Sequence, residues 1–239
     1  MAKKSTDSKA ETKTQSKSNA KKSAVAKSRL QQQGLVCGDL SFAASEAYKL
    51  LRTNLLFSLP EKPCRIIGVT SSVRGEGKST TAVNLSYTFA QAGKRVLLID
   101  ADMRKAVQHK IFELKNKKGL SSVISKMNTF EECVQRDVMK HLDVLTAGPI
   151  PPNPSELLAS SSMRKLLEKL SEEYSIVIID TPPVNVVTDA MELANIVSGI
   201  VVVLKYGSTT NEDVEAAIKK MEFAQMNVFG FILNGIKTK

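Results

Sequence analysis

A mostly parallel α/β sheet with helices on both faces is the fold class this sequence predicts, and three features predict it. Short apolar runs rich in β-branched residues recur along the chain, separated by stretches with helical spacing. Two of the runs, residues 95–100 and 175–180, end in an acid. A glycine-rich loop at residues 72–80, reading Ser-Val-Arg-Gly-Glu-Gly-Lys-Ser-Thr, joins the first run to the helix after it. Doubly wound sheets bind ligands at the carboxyl ends of their strands, so these features converge on one edge.

The 239 residues suit one large domain plus a tail, and a hydrophobic content of 42% is enough for a core. Residues 1–34 read as a disordered Lys/Ser-rich tail and residues 35–239 as the folded domain. The first 30 residues hold nine Lys/Arg against two Asp/Glu, which is +7 of the formal +10. Such an arm is either simply solvated or a contact for anionic lipid head groups, nucleic acid or an acidic protein. Nucleic acid is the less expected of these partners, because the folded part has no basic stripe interleaved with aromatics and such binding would rest on the arm alone. The arm lacks the apolar core of a signal peptide, and the longest apolar stretch, residues 196–204, is far short of the roughly 18–20 residues of a membrane span. Cys37, Cys64 and Cys133 have neither C-x-x-C nor His-rich spacing. A disulfide framework and a zinc site are therefore not expected, and a reducing cytoplasm fits.

Residues 40–59 begin the fold as a helix, with Ala47, Leu50, Leu51 and Leu55 at helical spacing and Ser41 as a cap. Its polar face carries Glu46, Lys49 and Arg52 three apart, a row that is either a solvated face or a subunit interface. The strand at 65–70, the loop and the helix at 81–91 form the context of a phosphate-binding loop. Gly75 and Gly77 let its N–H groups surround a polyphosphate, Lys78 reaches the β- and γ-phosphates, and the Ser79 hydroxyl ligates Mg²⁺. Ser72 stands where the strict motif has its first glycine. The strand at 95–100 delivers Asp100 and Asp102 to one side, with Arg104 beside them. Short helices are expected at 119–127 and 129–134, a strand at 142–145, a proline-imposed extended loop at 149–154 and one or two helices at 155–170. The strand at 175–180 brings Asp180 to the metal side. Asp189 reads as a helix cap, and a strand at 199–204, a helix at 211–225 and a strand at 228–233 ending at Asn234 complete the alternation. His109 and His141 are isolated and read as structural or surface residues.

Together these motifs resemble the bacterial tyrosine kinases of capsule and exopolysaccharide synthesis, a branch of the P-loop ATPases. The likeness rests on residues 72–80, on Leu-Leu-Ile-Asp-Ala-Asp-Met-Arg-Lys at 97–105 and on Ile-Ile-Asp-Thr-Pro-Pro at 178–183. It extends to residues 45–54 and to Pro-Asn-Pro-Ser-Glu-Leu-Leu at 152–158. Partition and division-site ATPases carry a signature lysine where Val73 stands, which favours the kinase branch.

The resemblance implies ATP and Mg²⁺ as cofactors and transfer of a phosphoryl group to protein tyrosine. Gly75, Glu76, Gly77, Lys78, Ser79 and Thr80 would bind the nucleotide, with Asn234 on the adenine. Ser79, Asp102 and Asp180 would hold the metal, Asp100 would take or orient the tyrosine proton, and Arg104 would pair with phosphates or these carboxylates. The implied partner is the cytoplasmic segment of a membrane polysaccharide chain-length regulator, which would place the protein in the cytoplasm, peripheral to the membrane. A ring of copies is also implied, although the family's Glu-x-x-Arg-x-x-Arg motif has Lys49 at its centre between Glu46 and Arg52. The family's tyrosine-rich tail is not seen: the four tyrosines, Tyr48, Tyr87, Tyr174 and Tyr206, are scattered. The alternative reading is an ATP-hydrolysing assembly protein of the same machinery.

Overall fold

The computed structural model describes residues 40–59, 61 and 64–236. The predicted tail at 1–34, the first residues assigned to the folded domain and Cys37 lie outside them. In chain order the elements are α1 (Phe42–Ser58), β1 (Arg65–Ser71), α2 (Lys78–Gln91), β2 (Val96–Asp100), α3 (Gln108–Ile111), α4 (Leu120–Ile124), α5 (Phe130–Cys133), β3 (Gln135–Met139), β4 (Leu142–Leu145), α6 (Pro154–Ala159), α7 (Ser161–Glu173), β5 (Ile176–Asp180), a 3₁₀ turn (Met191–Leu193), β6 (Gly199–Lys205), α8 (Asn211–Phe223) and β7 (Val228–Asn234).

The strands form one sheet in the order β3-β4-β2-β5-β1-β6-β7, parallel except for the β3–β4 pair. Alternate residues of each central strand enter opposite cores, which is why these strands read as unbroken apolar runs. Ile67, Val69, Leu98 and Ile178 pack with Leu55, Leu85 and Phe89 of α1 and α2. Leu97, Ile99, Val177 and Ile179 pack on the other face with Leu166, Leu167 and Leu170 of α7. Ile200 and Val202 meet Ala217 and Met221 of α8. In α1 the Ser41 hydroxyl accepts from the Ala44 N–H at 3.3 Å, the expected cap.

β3 was not legible in the sequence. Gln135, Arg136 and Asp137 show neither apolar content nor alternation, Asp137 has φ +49°, and the pairing with β4 shifts register there. A short, charged, bulged strand of this kind protects an edge from further pairing. Leu142–Leu145, whose four residues are all buried, sits inside it.

The register sets the site. β5 lies between β2 and β1 and pairs in parallel with both, with Val69 and Asp100 both opposite Asp180. Their carboxyl ends therefore open side by side onto the same crevice.

Candidate active site

The phosphate loop leaves β1 at that crevice. Gly75 has φ +84° and Gly77 φ +93°, backbone that a side chain rarely adopts. A Cβ on Gly77 would stand 2.1 Å from Asn234 Nδ2. The loop is braced from within: the Ser72 hydroxyl donates to both oxygens of Glu76 (2.8 and 3.0 Å), the Val73 N–H donates to Glu76 Oε2 (2.8 Å), and the Thr209 hydroxyl also donates to Glu76. Ser72, in place of the usual glycine, thus makes a buried tie, and the 2% exposed Glu76 side chain points into the loop's support and not into the cleft. Only the Glu76 backbone remains available to a phosphate. The Asn234 side chain donates to the Glu76 carbonyl at 2.9 Å, so it buttresses the loop in this state.

Lys78 is the hub. Its Nζ lies 3.0 Å from Asp102 Oδ2 and 3.2 Å from Asp180 Oδ1, and donates to Ser79 Oγ at 3.2 Å. Burial works to lower its proton affinity, but the Asp180 and Asp102 charges outweigh it and hold the ammonium above its usual range. Asp100 lies behind this group. One of its oxygens accepts from the Asp102 N–H (3.2 Å), the other from the Val107 and Gln108 N–H groups (3.1 and 3.0 Å). Burial first, then the Asp180 charge, push its carboxyl up to about 8, against the Gln108 amide and Lys78.

Two residues join the site that sequence reasoning did not assign to it. Gln108 donates its Nε2 to Asp180 Oδ2 (2.8 Å) and to the Ser79 carbonyl (3.2 Å), which leaves its buried Oε1 without a partner among the described residues. A four-residue helix, α3, positions it, and so short an element carries no periodic signal. The second is Asp189. Arg104, expected to pair with phosphates or with the neighbouring carboxylates, bonds neither Asp100 nor Asp102 but grips Asp189 with two bonds, Nε at 2.9 Å and Nη2 at 3.1 Å. Asp189 is fully buried and also accepts from the Ser155 hydroxyl at 2.7 Å, so it is a clamp between chain segments and not the helix cap that its position suggested. The clamp prevails because a buried carboxylate needs charge-assisted partners more than a short helix needs a cap.

The result is a cleft of about 390 Å³ lined by the loop residues Gly75, Gly77, Lys78, Ser79 and Thr80, by Asp102 and Arg104, and by Pro182 and Pro183. Ser79 and Asp102 on its wall, with the Asp180 carboxylate behind Lys78, offer hard oxygen donors that suit Mg²⁺, which keeps much of its water and takes only one or two carboxylates. Far from it, Glu46 and Lys49 pair with each other at 2.7 Å, while Arg52 donates to the Thr88 carbonyl at 3.0 Å, so the three residues are engaged within their own chain. Cys64 and Cys133 are free and buried. His109 is half-buried and His141 is exposed in the β3–β4 turn, both away from this cleft.

Comparison with known proteins bears on this geometry. A family model described as an AAA domain matches residues 64–229. The tyrosine-protein kinase YwqD of Bacillus subtilis is 44% identical over 88% of this chain and 89% of its own length. The chain belongs to the bacterial tyrosine-protein kinases. The solved kinase domain of the Escherichia coli tyrosine kinase ETK superposes on this kinase with a TM-score of 0.76 at 35% identity, covering 81% of this chain and 78% of that one. The septum site-determining protein MinD of Pyrococcus horikoshii shares the fold alone, at a TM-score of 0.60 and 21% identity over 71% of this chain and 70% of its own. The ranking agrees with Val73 in place of the signature lysine. No described helix is long and apolar enough to cross a membrane.

Proposed function

We propose that this kinase transfers the γ-phosphoryl group of ATP to tyrosine hydroxyls on proteins of a capsule or exopolysaccharide system. The observation that carries the reading is that Lys78, Ser79, Asp102 and Asp180, from three separate strand ends, meet within 3.2 Å of the Lys78 ammonium beside the cleft. Phosphoryl transfer asks for positioning and charge neutralisation, and this cluster supplies both. The loop amides and Lys78 hold the phosphates, and Ser79, Asp102 and Asp180 hold Mg²⁺, with Gln108 fixing Asp180. Mg²⁺ bound there neutralises charge on the phosphate oxygens.

Asp100 is assigned to the tyrosine proton. Its oxygens now sit on backbone amides, so the 102–108 segment must give way before the hydroxyl reaches it. Arg104 meets the phosphates while Asp189 holds its Nε and Nη2 in place, and Asn234 reaches adenine by leaving the Glu76 carbonyl. Replacing Asp189 by Asn should therefore weaken ATP binding about fivefold, the loss of roughly 1 kcal/mol of positioning, in calorimetric titration. Unchanged affinity would show Arg104 to be purely structural.

The activating partner in this reading is the cytoplasmic segment of a membrane polysaccharide chain-length regulator. It holds the kinase at the inner membrane face, where copies assemble through the helix bearing Glu46, Lys49 and Arg52. The basic tail adds contact with anionic lipid. Deleting residues 1–30 is then expected to reduce binding to anionic vesicles at low salt, and equal binding would remove the tail from the account.

The direct test mixes purified protein with Mg·ATP, with and without that partner segment, and seeks phosphotyrosine by mass spectrometry. Phosphotyrosine that vanishes in Asp100→Ala is the expected result. ATP hydrolysis without phosphotyrosine under both conditions would favour the assembly ATPase instead.

A further inference from the structure

Four tyrosines are available to a tyrosine kinase acting on its own kind, and the fold presents them very differently. Tyr174 is 2% exposed and Tyr48 and Tyr87 are half-buried, whereas Tyr206 is 62% exposed. Tyr206 lies in the turn after β6, next to Gly207 at φ +68°, on the sheet edge that carries the phosphate loop. We propose that Tyr206 is a phosphorylation site modified by a second copy of this chain, and that its phosphate loosens the nucleotide loop. The proposal rests on the tyrosine kinase activity described above.

Transfer between copies follows from the geometry. None of residues 205–209 lines the cleft, so a copy does not hold its own Tyr206 against its bound ATP. In the transfer the Tyr206 hydroxyl oxygen forms the new bond to the γ-phosphorus. The bond from that phosphorus to the β–γ bridging oxygen breaks, ADP leaves with the electron pair, and the phenolic proton passes to the active-site carboxylates and on to water.

The consequence for the loop is also built in. The Tyr206 N–H donates to the Asn234 carbonyl at 2.8 Å, and the Asn234 side chain donates to the Glu76 carbonyl at 2.9 Å. Three residues on, the Thr209 hydroxyl accepts from the Lys205 N–H at 2.8 Å and donates to the Glu76 carboxylate. The Tyr206 turn thus bears on the loop residue between Gly75 and Gly77 by two separate routes. A phosphate there adds about −1.5 to −2 charges beside a turn already tied to a buried carboxylate. Like charge pushes the turn away from Glu76, undoing the brace, and opposes the nucleotide's own phosphates.

The test incubates the full chain with Mg·ATP at several protein concentrations, together with a random Glu/Tyr copolymer as reporter. Phosphotyrosine is mapped by mass spectrometry, and the affinity for a fluorescent ADP is measured before and after. Labelling of Tyr206 with an initial rate rising as the square of protein concentration, and a roughly fivefold weaker ADP affinity after labelling, is expected. Tyr206→Phe, which lies outside the cleft, should still label the copolymer and keep its ADP affinity through the same incubation. A labelled copolymer with Tyr206 unmodified overturns the proposal and spares the kinase reading, whereas no label on either overturns both. An affinity that does not change on labelling overturns the regulatory half.

Discussion

Replacing Lys78 by Met is expected to lower tyrosine phosphorylation by about 10²–10³-fold, the scale for losing one preorganised electrostatic group at a transferring phosphoryl. The effect has two sources. Lys78 is the cation designated for the phosphates, and it is also what lets Asp102 and Asp180 stand together, each within 3.2 Å of its ammonium. Without it two buried carboxylates face each other, the variant binds Mg·ATP poorly, and the methionine stem retains the packing. Circular dichroism should show the fold intact while phosphotyrosine disappears by mass spectrometry. Normal labelling by the variant would show that the catalytic centre lies elsewhere.

The largest stability effect is expected at the opposite edge of the sheet. Asp143 of β4 is 6% exposed and accepts three bonds: from Tyr174 Oη at 2.6 Å, from the Asp137 N–H at 2.7 Å and from Arg136 Nη1 at 3.0 Å. Glu173 joins from α7, bonded to both Arg136 and Arg95 at 2.5 Å, and Arg95 lies over the Tyr174 ring at 5.3 Å. This network ties edge strand β3 to β4 and to the end of α7. Asp143→Ala strands a buried hydroxyl and an arginine that is only partly exposed. The expected loss is about 3 kcal/mol, the low end for breaking a buried pair, because Arg136 keeps Glu173 and some solvent. In a chain of this size that lowers Tm by about 6–12 °C in calorimetry. A shift under about 2 °C would mean that the network contributes little.

The same cluster sets an alkaline limit. Burial, then the bond to Asp143, hold the Tyr174 hydroxyl well above its usual range. The folded state therefore keeps a proton that the unfolded chain releases near pH 10. The stabilisation is complete below that pH and is lost as pH rises above it. Tyr174→Phe should cost about 1 kcal/mol at neutral pH and flatten the decline in stability above pH 10. An unaltered alkaline slope would assign the decline to other groups.

Much of this was legible because it is local. The phosphate loop is a contiguous string with a strand before it and a helix after it, and each central strand announces itself by being apolar on both faces. The acids at the ends of β2 and β5 were readable for the same reason. β3 was not, since an edge strand that resists pairing is selected to lack the strand pattern. Gln108 and Asp189 were not readable either. An isolated Gln or Asp has a meaning only through its partner, and their partners stand 72 and 85 residues away in the chain.

By itself, then, the sequence determined the class of sheet, the edge on which chemistry gathers, the phosphate loop and the kinase family. Only the tertiary structure decided that Glu76 braces the loop from inside, that Arg104 is clamped by Asp189, that Gln108 orients Asp180, and that Tyr206 stands open beside the loop's support. The physical reason is range. Backbone propensity and hydrophobic periodicity act over a few residues, whereas these four assignments depend on which strand ends the β2-β5-β1-β6-β7 order sets side by side.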